Sequence, residues 1–290
     1  ATTASTRQLY ATWTASTDAE SGVVDYAYQI RAGSSSGAIV RDWTSAGPVT
    51  EVTALDLTLA VGTTYVIGLR AKNGAGLYSA AAFSDGIAVV SGGTTVTTSI
   101  SASTTWTRAG SPYRVTASIG VLSNAVLTIQ PGVEVLFNPS LTLSVGSSAS
   151  NRGTLIAQGT SGRPVTFTAN STSTAAGQWG GLRFTGINAG TILEFCRILY
   201  GGPTGTTGAV SIPNGTLTIR RCTIRGSAGV GISITGGSAA VIQSNLLADH
   251  ASYPLRTFIS TVPASLTGNT YLNNAVQAIE GEGRVTITTE

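Results

Sequence analysis

Apolar and polar residues alternate in short runs along most of this chain, and the runs are broken by Gly, Asn, Pro and Ser instead of merging into long stretches of helical period. Val, Ile and Thr dominate the runs, so the predicted elements are strands. In the C-terminal half the alternation itself repeats. Cys196, Cys222, Asn245 and Asn269 recur at spacings of 26, 23 and 24 residues. An apolar residue lies three positions before each (Leu193, Ile219, Ile242, Leu266) and another two positions after (Ile198, Ile224, Leu247, Tyr271). Self-similarity at such a period marks stacked supersecondary units, because one unit buries its apolar face only against the next. Strand-like units stacked in this way predict a solenoid of coiled strands.

The same texture extends upstream through Ala125 to Phe137, Gly153 to Thr160, Pro164 to Thr168 and Trp179 to Phe184, with corners at Pro131-Gly132 and Asn151-Arg152-Gly153. About seven coils are expected, the first holding Tyr113 to Ile129 and the last Ala275 to Glu280. Inward residues should stack as like on like, with Asn245 on Asn269 at a turn where an amide bonds the backbone of its own coil and its neighbour's. This succession resembles a right-handed parallel β-helix of the pectate-lyase-like superfamily found in bacterial and archaeal surface proteins, over roughly 104–283. The resemblance implies a fold and does not fix an activity.

Ahead of it lie short alternating strands at Leu9 to Trp13, Val24 to Ile30 and Thr64 to Ala71. Regular short strands predict an antiparallel sandwich. Trp13, the run Tyr26 to Ile30 and the stretch Tyr65 to Ser79 resemble a fibronectin type III domain over residues 1–91. Trp13 and alternate tyrosines are then expected in the inter-sheet core, with Asn73-Gly74 turning the chain between the last two strands. The acidic loop Asp18 to Gly22 reads as an ordinary inter-strand loop, not a cation site. Only five residues precede Thr6, so the sandwich is expected to lack an edge strand, leaving a site for a strand from another subunit.

Residues 92–103 are expected to be a linker strand, and Trp106 to Tyr113 to shield the first coil. Residues 284–290 alternate like a strand detached by glycines. They read either as a strand donated to another copy or as the start of a next repeat. The contacts expected to carry assembly are therefore Arg284, Val285, Thr286, Ile287, Thr288 and Thr289, together with Ala1, Thr2, Thr3, Ala4, Ser5 and Thr6.

Composition narrows the function classes. Charged residues are 10% of the chain and Gly is 36 of 290, so the surface is built from Thr, Ser, Asn and Gly. The 16 basic residues include one lysine, Lys72, and cluster only at Arg220, Arg221 and Arg225, which reads as a solvated strand face and not a nucleic-acid footprint. No run approaches the roughly 20 apolar residues that span a bilayer, and no signal peptide is expected. With no Met at position 1, the N-terminus is expected to be a product of processing or an edge of a longer chain. The two Cys fall on adjacent coils, expected as buried free thiols, with a disulfide geometrically open to them.

Candidate chemistry is sparse. Between 104 and 283 the acids are Glu134, Glu194, Asp249, Glu280 and Glu282, and no acid pair recurs at coil spacing. Glu194 sits one coil before Arg220 and reads as a cross-strand ion pair. Asp249-His250 holds the only His, read as a corner residue. Two Cys and one His do not make a tetrahedral metal site. Asn170-Ser171-Thr172 and Asn214-Gly215-Thr216 match the glycosylation acceptor pattern weakly. No cofactor, nucleic acid or membrane insertion is expected.

The resulting expectation is a non-catalytic extracellular or cell-surface structural protein, a subunit or repeat of a stalk, sheath or filament that self-associates by strand pairing or continues into further repeats. The alternative is an adhesin or glycan-binding module with Trp179, Tyr200, Tyr253 and Tyr271 as stacking platforms. A polysaccharide lyase or hydrolase stands third.

Overall fold

The computed structural model describes residues 1–171, 173–236, 240–258 and 265–282. The chain is all-β and divides into two compact units, Ala1–Gly93 and Thr94–Glu290.

The first unit carries a mostly antiparallel sheet in which Thr2–Thr3, Ile87–Val89, Thr64–Asn73, Val23–Ala32 and Ile39–Gly47 lie side by side, with Ala82–Phe83 also on Thr64–Asn73. A second pair joins Leu9–Thr12 to Glu51–Ala54 antiparallel. One buried cluster draws on both sheets: Leu9, Tyr28, Ile30, Ala54, Leu57, Leu59, Tyr65, Ile67 and Val89. Side-chain alternation sets this, since Tyr28 and Ile30 share one face of their strand. Trp13 is a correction to the sequence reading: it is half-buried and tilted on Tyr26 at 5.5 Å, outside the core cluster. Asn73 does turn the chain, its Oδ1 accepting the Leu77 N–H at 2.9 Å. Asp18 is consumed by structural hydrogen bonds, accepting the Ser21 N–H of its own loop at 2.8 Å and an Asn73 amide N–H at 3.1 Å. Those bonds, led by Ser21, hold its carboxyl below the usual carboxylate range.

The expected vacant edge is also corrected. Thr2–Thr3 pairs parallel to Ile87–Val89, and the carbonyls of Ala1 and Thr3 accept the Ala88 and Val90 N–H groups at 2.9 and 2.8 Å. Ser5 is buried. A two-residue edge strand is a short one, and short edges are poor templates for strand addition.

The second unit is a parallel β-helix of three sheets. Sheet I stacks Thr94–Val96, Tyr113–Val115, Glu134–Phe137, Val165–Ala169, Cys196–Leu199, Thr223–Arg225, Leu246–Ala248 and Thr270–Leu272. Sheet II runs from Ile119–Val121 to Ile279–Glu282, and sheet III from Thr104–Trp106 to Val241–Gln243. The strand Thr94–Val96 is therefore a first rung, in register with Tyr113–Val115, and not a free linker. Among the described residues sheet I counts eight strands, one more than the coils expected, because the rung Thr94–Val96 adds a strand ahead of the first coil.

Registers are like on like. Tyr113, Val135, Phe167, Ile198, Ile224, Leu247 and Tyr271 form one inward file of sheet I. Ala157, Leu193, Ile219 and Ile242 form one of sheet III. Most of these side chains are fully buried, at about 1.5–3 kcal/mol each for a large aliphatic or aromatic. Near the first end Trp106 and Tyr113 stack at 4.6 Å, both buried.

Candidate functional site

From Cys196–Leu199 onward the strands of sheet I are bounded at both ends by single left-handed residues. Before its strands stand Phe195, Arg221, Ser244 and Gly268, and after them Tyr200, Gly226, Asp249 and Asn273, all at φ between 46° and 73°. One αL residue between extended neighbours bends the chain from sheet to sheet, at a cost of order 1 kcal/mol for non-Gly. The next side chain is thereby aimed inward, beside the backbone of adjacent coils.

That geometry explains the Cys and Asn column. Each member after Cys196 accepts the backbone N–H of its counterpart one coil earlier and donates to a carbonyl of that coil. Cys222 Sγ accepts the Cys196 N–H at 3.4 Å and donates to the Leu193 carbonyl at 3.4 Å. Asn245 accepts the Cys222 N–H at 2.9 Å and donates to Ile219 at 2.9 Å. Asn269 accepts the Asn245 N–H at 3.0 Å and donates to Ile242 at 2.8 Å. Both thiols are free and buried. Burial, then the neighbouring Cys222, pushes the Cys196 thiol well up, away from the thiolate that reacts.

A second column, five residues on, was missed by sequence reasoning. The Ser227 N–H donates to His250 Nδ1 at 3.2 Å, and the His250 N–H donates to Asn274 Oδ1 at 3.2 Å. The spacings, 23 and 24, repeat those of the first column and were the available signal; three dissimilar side chains hid it. His250 is buried, and burial takes its pKa down to about 4, against the pull of Asp249 and the Ile224 carbonyl. It is a neutral rung, directly after the αL corner at Asp249.

Outward charges brace coil to coil. Glu194 is saturated: Arg220 grips it through Nε at 2.8 Å and Nη2 at 3.0 Å, Arg221 through Nη1 at 3.1 Å, and Gln158 donates at 3.1 Å. These bonds, Arg220 first, hold its carboxyl below the usual range. Arg225 pairs with Asp249, and Arg256 with Glu280 at 2.9 Å. Arg183, half-buried, spends its guanidinium on the Gly208 and Gly180 carbonyls. Among the described residues no group of three or more His, Cys, Asp or Glu is placed to hold a metal ion.

Of the four proposed stacking rings, Trp179 is a correction. It is fully buried, stacked on Phe137 at 4.1 Å with Nε1 donating to the Leu199 carbonyl at 2.9 Å. The ring turns into the coil and is not available as a stacking platform. Tyr271 is half-buried against the core of the last coil, which raises its pKa. Tyr200 occupies an αL corner against Gly226, and Tyr253 is half-buried. Of the assembly residues, Ala1 to Thr3 lie on the paired edge already described, Ala4 to Thr6 follow it, with the Thr6 carbonyl accepting the Leu59 N–H at 2.9 Å, and Arg284 to Thr289 fall outside the described residues. Asn170 and Asn214 are both exposed, and Asn170 donates to Asn138 at 2.9 Å.

Residues 98–212 match the family described as pectate-lyase like beta helix domain. A domain of that kind fits a cell-surface or carbohydrate-related protein. No curated protein and no solved structure matches the chain. In the described residues no helix is long and apolar enough to cross a membrane.

Proposed function

We propose that the protein is a non-catalytic, extracellular structural element, a subunit or repeat unit of a surface stalk, sheath or filament, in which the β-helix supplies stiffness. One observation carries the reading: the side chains best suited to chemistry are spent as coil-to-coil braces. His250 and the two Cys are rungs, and Glu194, Asp249 and Glu280 each grip an arginine of an adjacent coil. A stack tied at both the core and the surface resists bending, and eight strands at the usual spacing give a rod roughly 35 Å long. The first unit is taken as a fibronectin type III-like spacer, supported by its two core-sharing sheets and the Asn73 turn.

Because Thr2–Thr3 fills the amino-terminal edge, the linkage is sought at the carboxy-terminal segment Arg284 to Thr289 or in further repeats. Electron microscopy of the native chain and of one lacking 284–290 tests this. Assemblies that vanish on deletion support strand pairing; assemblies that are unchanged refute it. Release of reducing ends from acidic polysaccharides, lost in Asp249→Asn, would replace the structural reading with a catalytic one.

A further inference from the structure

Two cations stand without an anionic partner on the outer face of the larger sheet of the first unit. Along Thr64–Asn73 the side chains of Tyr65, Ile67 and Leu69 pack on the core cluster, so Gly68, Arg70 and Lys72 lie on the opposite face. The Arg70 guanidinium is held by rings: its Cζ lies 4.2 Å from the centroid of Trp43 and 3.9 Å from that of Tyr78. Lys72 Nζ stands over the same Tyr78 ring at 5.6 Å. Among the described residues neither side chain makes a hydrogen bond or an ion pair, and Arg70 Nε is buried without a partner. Asp42, the carboxylate whose charge reaches Arg70, accepts the Trp43 N–H at 2.8 Å and a Gln29 amide N–H at 2.9 Å instead. Rings attract a guanidinium without consuming its in-plane N–H groups, so Arg70 is fixed in place while its donor fork stays unspent.

We propose that Arg70 and Lys72 form an oxoanion site on the first unit, and that it takes a tetrahedral ester, phosphate or sulfate, carried on a sugar. The fork of Arg70 suits two oxygens and the point charge of Lys72 a third, which a tetrahedral group offers and a carboxylate lacks. The flank of the site argues for the sugar. Phe83 lies over Gly68, where an added Cβ would come within 2.7 Å of its ring, and it is 41% exposed, as Tyr78 is by 43%. Exposed rings beside an anion site supply an apolar seat for the C–H face of the body that bears the charge, which a free anion would leave empty. The inference goes beyond the structural reading, since it gives the first unit a ligand.

Titration of the full chain with glucose 6-phosphate, inorganic phosphate and glucose tests it, followed by NMR at the Arg70 Nε–H and the Tyr78 and Phe83 rings. Glucose 6-phosphate should shift all three saturably and bind about tenfold more tightly than inorganic phosphate, and glucose should shift none. Arg70→Lys keeps the charge and loses the fork, and should weaken glucose 6-phosphate binding about tenfold; Lys72→Gln, which leaves the ring stack alone, should weaken it similarly. Circular dichroism melts establish that each variant is folded before it is titrated. The proposal falls if glucose 6-phosphate gives no saturable shift, if glucose binds as well as its ester, or if folded Arg70→Lys and Lys72→Gln both bind as the native chain does. Inorganic phosphate binding as tightly as the ester would overturn the sugar. None of these readouts depends on whether the chain assembles.

Discussion

Replacing His250 by asparagine tests the ladder most directly, because Asn is the rung already used at 274 and the histidine is the only one in the chain. In the folded protein His250 is 2% exposed and titrates near pH 4, against 6.5 for a free imidazole. Its folded pKa is depressed, so the unfolded chain binds the proton first. The contribution is fully present above pH 6.5, declines as pH falls towards 4, and is constant below. A depression of that size is worth about 3 kcal/mol in total, of which about 2 kcal/mol is lost by pH 5. The substituted amide would accept the Ser227 N–H and return a donor to the Ile224 carbonyl, as Asn274 does to Leu247 at 3.1 Å. It also vacates space beside Gly231, where the imidazole Nε2 now packs. At pH 7 the variant should therefore unfold within about 1 kcal/mol of the native protein. At pH 5 it should be more stable by about 2 kcal/mol, roughly 4–8 °C in the melting temperature of the second unit. Circular dichroism melts of both proteins at pH 7, 6 and 5 give the difference, with carboxylate titrations common to both cancelling. The single imidazole resonance followed by NMR gives the pKa independently. A histidine titrating near 6.5, or equal pH slopes in the two proteins, would refute the reasoning.

Cys222→Asn should preserve or raise the stability of the second unit, whereas Cys222→Val leaves the buried Cys196 N–H without an acceptor and should cost about 1–3 kcal/mol, measured by denaturant unfolding. Glu194→Gln should destabilise by about 1 kcal/mol at pH 7, discounted because both arginines are half exposed; the loss should fade as pH falls through the carboxylate range, since the native acid's depressed pKa confers stability only above it. Trp179→Ala should cost about 3–5 kcal/mol in thermal unfolding and leave retention on glycan arrays unchanged, the ring being inside the coil.

What the sequence determined by itself was the local alternation and its period. Strand after strand of sheet I sits where Ile198, Ile224, Leu247 and Tyr271 placed it, since a pleated strand puts every second side chain on one face whatever lies beyond it. The spacing of Cys196, Cys222, Asn245 and Asn269 likewise revealed a column, because identical environments select similar residues. Only the tertiary structure decided what each polar group bonds. The partner of a rung is a backbone N–H one whole coil away, and Ser227, His250 and Asn274 meet that demand with unlike chemistry, so no pattern of residue type announces them. Trp13 and Trp179 show the same limit in opposite senses: both are large and aromatic, yet the first rests half-buried on Tyr26 and the second is sealed against Phe137. Which way such a ring turns depends on the space left by neighbouring strands, and that space exists only once the coils have stacked.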